Sequence, residues 1–207
     1  MTEERGRKHN RCREKTAAAV LMIGMAAICP AFSQMQNQVS DKEKLGMALD
    51  YFQSGKYHEA LLLFKKLSRN YSLNPRFKAY MGVCFYYEPD YPNACKYFGE
   101  TIPQLESFAP HERSVYYYMA AQSFLHAEKY EKAIPLYEKA LTVCYENEKG
   151  DALFGLASCY EQMDSTATAT EYYVSANAYY KRFNDIKDKR SNMAKIDSAF
   201  TAEGIAE

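Results

Sequence analysis

The stretch EKYEKAIPLYEKAL, residues 128–141, decides the fold. Its Tyr130, Ala133, Tyr137 and Ala140 fall three or four residues apart, which is one face of an α-helix. The same spacing occurs in three other places. GKYHEALLLFKKL gives Tyr57, Ala60, Phe64 and Leu67; DYPNACKYFGET gives Tyr91, Ala94, Phe98 and Thr101; DSTATATEYYVSA gives Thr166, Ala169, Tyr173 and Ala176. Successive copies are offset by 34, 39 and 36 residues. A period of that size marks stacked repeats.

The match extends upstream. Twelve residues before each alanine stands a small residue: Ala48, Gly82, Ala121 or Ala157. Nine residues before it stands an aromatic: Tyr51, Phe85, Phe124 or Tyr160. With aromatics at 14% of the chain, eight rings in eight aligned positions exclude four unrelated amphipathic helices. The pattern predicts pairs of helices folded back on each other. Small residues (Ala48, Gly82, Ala121, Ala157 against Ala60, Ala94, Ala133, Ala169) let the backbones approach, and rings fill the flanks. One pair cannot bury its apolar face, so neighbours must stack.

This pattern resembles the tetratricopeptide repeat, whose signature includes L-G-x-x-Y followed by A-x-x-x-F. It stands here as Met47 to Tyr51, Met81 to Phe85, Ala120 to Phe124 and Leu156 to Tyr160. The chain departs from the family at Lys44 and Lys78, where a bulky apolar residue is usual, and at Thr166, where the other copies have Tyr. The family's late proline is replaced by Pro75 and Pro110 at the next helix starts, where a lost N–H costs little. The expected fold is all-α: a right-handed α-solenoid of about four helix-turn-helix repeats, 41–74, 75–113, 114–149 and 150–182. A C-terminal capping helix and tail over 183–207 follow from Ile186, Met193, Ile196 and Phe200, which share one helical face. The five additional residues of the 39-residue spacing predict an irregular exit from the second hairpin, around residues 103–113.

Composition agrees. Among 207 residues there are 19 Tyr, 11 Phe and only 9 Gly, which suits packed helices better than turn-rich sheets. Lys plus Arg and Asp plus Glu balance at 26 each, which argues against a nucleic-acid-binding face.

Residues 1–33 read as a signal peptide and 34–40 as a linker. A basic start (MTEERGRKHNRCREK) precedes an apolar run, TAAAVLMIGMAAI, and then Ala31-Phe32-Ser33, placing cleavage before Gln34. The run is shorter than the ~20 residues of a spanning helix. Export to the periplasm or association with the outer membrane is the expected destination. A lipoprotein at Cys29 and an uncleaved anchor are the alternatives.

The motifs of catalysis do not occur: no H-E-x-x-H, no G-x-S-x-G and no phosphate-cradling glycine loop. No cofactor, metal, nucleic acid or small-molecule substrate is expected. Cys84, Cys95, Cys144 and Cys159 read as free buried thiols, with a Cys84–Cys95 pairing as the exception to watch. The resemblance implies instead a groove lined by the first helix of each pair. Its candidate lining residues are Leu49, Phe52, Val83, Tyr86, Tyr87, Tyr118, Gln122, Phe154 and Glu161. The implied partner is another protein or peptide, with self-association through the repeats, or service as an accessory module of an envelope enzyme complex, as the alternatives. The C-terminal segment filling that groove is the competing expectation for the stripe.

Overall fold

A computed structural model describes residues 39–183 and 189–202. The expected signal peptide and its cleavage site, together with Ile186 and the last five residues, lie outside them. The described residues form nine α-helices and two short 3-10 turns, with no strand. The helices are α1 (Asp41–Gln53), α2 (Tyr57–Ser68), α3 (Pro75–Tyr87), α4 (Tyr91–Thr101), α5 (Pro110–His126), α6 (Tyr130–Val143), α7 (Lys149–Gln162), α8 (Thr166–Arg182) and α9 (Arg190–Ala202). None of the described helices is long and apolar enough to cross a membrane.

Helices α1/α2, α3/α4, α5/α6 and α7/α8 pair as hairpins, and each second helix packs on the first helix of the next pair. Ala48, Ala60, Ala94, Ala121, Ala133 and Ala157 are wholly buried, Ala169 is nearly so, and Gly82 is buried. A methyl on Gly82 would meet the Phe98 ring at 2.9 Å, so this hairpin closes on a bare backbone. The rings Phe64, Phe98, Tyr137 and Tyr173 fill the other side, each at most 1% exposed.

The four hairpin turns share one closing hydrogen bond, although Pro89 gives the second turn no N–H at the position of Gly55. The N–H of Lys56, Asp90, Lys129 and Ser165 donates to the carbonyl of Tyr51, Phe85, Phe124 and Tyr160, at 2.8–2.9 Å. This is the six-residue closure of a Schellman turn, which places one residue in the left-handed region. Gly55 takes it at φ 71°, whereas Glu128 and Asp164 take it at φ 57° with a side chain attached. Two helix starts carry side-chain caps: Asn74 Oδ1 accepts from the Phe77 N–H at 3.0 Å, ahead of Pro75, and Asp90 Oδ1 from the Asn93 N–H at 3.3 Å.

The long spacing between the second and third pairs is not merely slack. After the 3-10 turn Ile102–Gln104, Leu105 enters the core with no exposed surface. Arg76 reaches across to Glu112 at 3.0 Å and lies 4.7 Å over the Phe108 ring.

Helix α9 is separate from α8 and follows the spacing of a first helix. Met193, Ile196 and Phe200 each stand 40 residues after Leu153, Leu156 and Tyr160. Ile196 is fully buried among Ala157, Tyr173, Ala176 and Tyr180, as Leu156 is one layer earlier. At the position of Ala157, however, α9 carries the exposed Asp197. A second helix packed there would bury a carboxylate, a cost that the alanine of the earlier pairs avoids. Burial of Ile196 contributes about 1.5–3 kcal/mol to holding α9.

Candidate functional site

First helices contact one another across pairs, α3 with α5 and α5 with α7. In a curved stack such contacts mark the inner side. The expected lining residues are distributed unevenly over it. Leu49, Phe52, Tyr86, Tyr118, Gln122, Phe154 and Glu161 are half-buried, Tyr87 is 46% exposed, and Val83 is only 4% exposed and belongs to the core.

The structure gathers several of these into one aromatic series. Tyr80 stacks on Phe52 at 4.4 Å, and Phe52 meets Tyr57 edge-on at 5.7 Å. Tyr57 lies flat on Tyr87 at 4.1 Å and 4°. Tyr87 touches Tyr86 at 5.2 Å, Tyr86 faces Tyr91 at 6.2 Å, and Tyr91 stacks on His126 at 4.4 Å. The series crosses three pairs. Tyr57 and Tyr91 come from the start of second helices and join it because each stacks on the last turn of the next first helix. Burial lowers the His126 pKa.

Tyr118 sits deeper. Its hydroxyl accepts a hydrogen bond from Gln122 Nε2 at 3.0 Å. Burial, then the neighbouring Asp151 and Tyr86, push its phenol well above the ordinary value. Beside it a cavity of about 160 Å³ opens between α5, α6 and α7, lined by Val115, Ala140, Cys144, Glu148 and Asp151 among others.

Phe154 and Glu161 are set apart from the series, because α9 lies on them. Lys195 Nζ is 2.8 Å from Glu161 and passes 5.7 Å over Phe154 and 5.8 Å over Tyr173. Tyr173 donates to Glu161 at 3.0 Å. At the other end of α7, Asp151 accepts from Tyr180 at 2.9 Å and from Lys189 at 2.6 Å. Helix α9 thus packs chiefly on α8, as the next first helix would, and is tied to α7 by side-chain ion pairs at its two ends. Nothing in the repeat pattern signals those ion pairs, because they join residues 34 or more positions apart.

The described histidines and cysteines serve packing and surface pairing. His58 pairs with Glu88 at 2.7 Å and His111 with Glu148 at 2.9 Å, both linking one layer to the next at the surface. His111 also stacks on Tyr145 at 4.0 Å. All four described cysteines are free, so Cys84 and Cys95 are not bridged. Burial pushes the Cys84 and Cys159 thiols up to about 12, and burial followed by Glu148 raises Cys144. A raised thiol is the opposite of an activated nucleophile. No group of three metal-ligating side chains converges among the described residues.

Comparison with known proteins places this geometry. The profile of the tetratricopeptide repeat matches residues 45–105 and 118–176, more than half of the chain. Among solved structures, a MamA fragment from Desulfovibrio magneticus RS-1 superposes with a TM-score of 0.55 at 16% identity, covering 78% of this chain and 96% of that one. A putative kinesin light chain from Podosopora anserina with TPR-like repeats superposes with a TM-score of 0.58 at 13% identity, covering 82% and 90%. At those identities the likeness is one of fold. No curated protein matches the sequence.

Proposed function

Since the chain belongs to the tetratricopeptide repeat family, we propose that it is a non-enzymatic scaffold that holds a peptide or helix of another protein along its inner face. The observation that carries this reading is the aromatic series from Phe52 to His126. Its central member, Tyr87, keeps 46% of its surface open on a face with few charges. Large rings already held by stacking offer contact area at low entropic cost, as interface anchors do.

A photo-crosslinking residue at Tyr87, compared with one at the exposed Lys139 on α6, tests it in the native cell. Adducts at position 87 alone are the expected result. Equal adducts, or none at 87, remove the inner face from consideration.

The envelope is the proposed place of action, supported by the basic-then-apolar pattern of residues 1–33. A protein that begins at Cys29 would replace the cleaved form with the lipoprotein, and one that retains residues 1–33 would replace it with the anchored form.

Self-association is a second reading, favoured by one observation. Met47 is 40% exposed, although its counterparts Met81, Ala120 and Leu156 are wholly buried by the preceding layer. A mass that stays monomeric across protein concentrations, read by light scattering, excludes it.

A further inference from the structure

Asp151, Phe154, Ser158 and Glu161 recur along α7 at spacings of three, four and three residues, the register of the inner face. In the first three pairs the same register holds Lys42, Leu45, Leu49 and Phe52; Arg76, Ala79, Val83 and Tyr86; and Val115, Tyr118, Gln122 and Leu125. Only α7 carries carboxylates there, one at each end. Two cations answer them, Lys189 just ahead of α9 at 2.6 Å from Asp151 and Lys195 on α9 at 2.8 Å from Glu161. Between them Ile196 occupies an apolar slot floored by Ala157 and Tyr173.

A cap for a stack needs only an apolar underside and a polar exterior. Ion pairs at a half-exposed rim add little stability. What they set is orientation and choice of partner. A single deep slot flanked by two carboxylates describes a receptor for a basic amphipathic helix.

Resting on the reading of the chain as a docking scaffold, we propose that this end of the stack, α7 together with Tyr173, Ala176 and Tyr180 of α8, binds such a helix from a partner protein, and that α9 occupies it in cis until displaced. The partner segment carries one Lys or Arg over Asp151. Six residues on it carries a second cation over Glu161, followed at once by a branched aliphatic residue for the Ile196 slot. Because α9 is tethered, its effective concentration at the site is high, and a competing helix binds the intact chain weakly.

The probe is a labelled synthetic peptide of residues 189–202, titrated against the mature chain. Opening the site with Ile196→Asp should tighten binding by about tenfold or more, the tethered competitor being removed. Lys189→Glu with Lys195→Glu in the chain is the second opener, and it leaves the apolar slot intact. A peptide carrying the same two charge reversals should bind about tenfold more weakly.

Equal affinity for the intact and opened chains places the peptide elsewhere and overturns the proposal. So does no binding to either opened chain when circular dichroism shows that its helices persist. A wild-type dimer that Ile196→Asp abolishes assigns the slot to a second copy's α9 and overturns the partner assignment. Crosslinking at Tyr87 is read separately. Adducts there without peptide binding sink this inference alone, and peptide binding without those adducts sinks the broader groove reading alone.

Discussion

Gly155 of α7 lies flat against the ring of Tyr137 from α6: a methyl on Gly155 would stand 2.3 Å from Cζ and 2.7 Å from the hydroxyl oxygen. The contact joins the third layer to the fourth. Gly155→Ala should therefore destabilise the fold by roughly 1–3 kcal/mol, an overpacking cost larger than alanine's better helix propensity. Gly46 stands at the same repeat position in α1, with nothing within 4 Å of the added carbon. Gly46→Ala should stabilise by about 1 kcal/mol. Urea denaturation of the two variants checks the opposite signs.

The Tyr137 hydroxyl is buried and has no hydrogen-bond partner. Removing an unsatisfied buried polar atom relieves a penalty of roughly 1–3 kcal/mol. Tyr137→Phe should raise the denaturation midpoint; a lower midpoint would mean that the hydroxyl is satisfied after all.

Glu128 and Asp164 hold the left-handed turn position that Gly55 holds in the first hairpin. A side chain there costs roughly 1–2 kcal/mol relative to glycine. Glu128→Gly and Asp164→Gly should each stabilise the protein, by additive amounts because the turns are distant. Thermal melts of the single and double variants measure this.

Burial lowers the His126 pKa in the folded chain. Its folded value lies below the unfolded value of ~6.5, so the folded state binds fewer protons in between. Stability is therefore full above about pH 6.5 and falls as pH drops through the folded value. His126→Gln should flatten that acid limb in melts between about pH 6.5 and 5. The effect is modest, because one face of the ring meets solvent.

Cys84 and Cys159 are free, buried and raised to about 12. A thiol reagent at neutral pH should label Cys144 first, the half-exposed one, and reach the other two only on unfolding. Mass spectrometry after brief labelling reads the order.

The helical stack was legible because its two requirements are local. Close approach demands Ala or Gly, flank filling demands rings, and both recur at a fixed period. The turn residue, the register of Met193 and Phe200, and the free thiols follow the same local logic. The inner face was less legible. Val83 and Tyr87 share a helix and a family resemblance, yet one is buried and the other open. What covers Val83 comes from other helices. Gly155 drew no notice because its reason is a ring on the preceding pair. Leu105 escaped because it sits outside the period. Lys189 and Lys195 carry no signal in the repeat pattern, because their partners Asp151 and Glu161 lie 38 and 34 residues away.

Asp197 gives the array a direction. A hairpin grafted behind Ala202 would have to seat its second helix on a carboxylate, where every earlier junction offers a methyl or a bare backbone. At the front, the open side of Met47 already presents the thioether that an added pair would cover. Lengthened versions of this protein would grow from the amino end, and repeats appended at the carboxyl end would hang as unattached passengers.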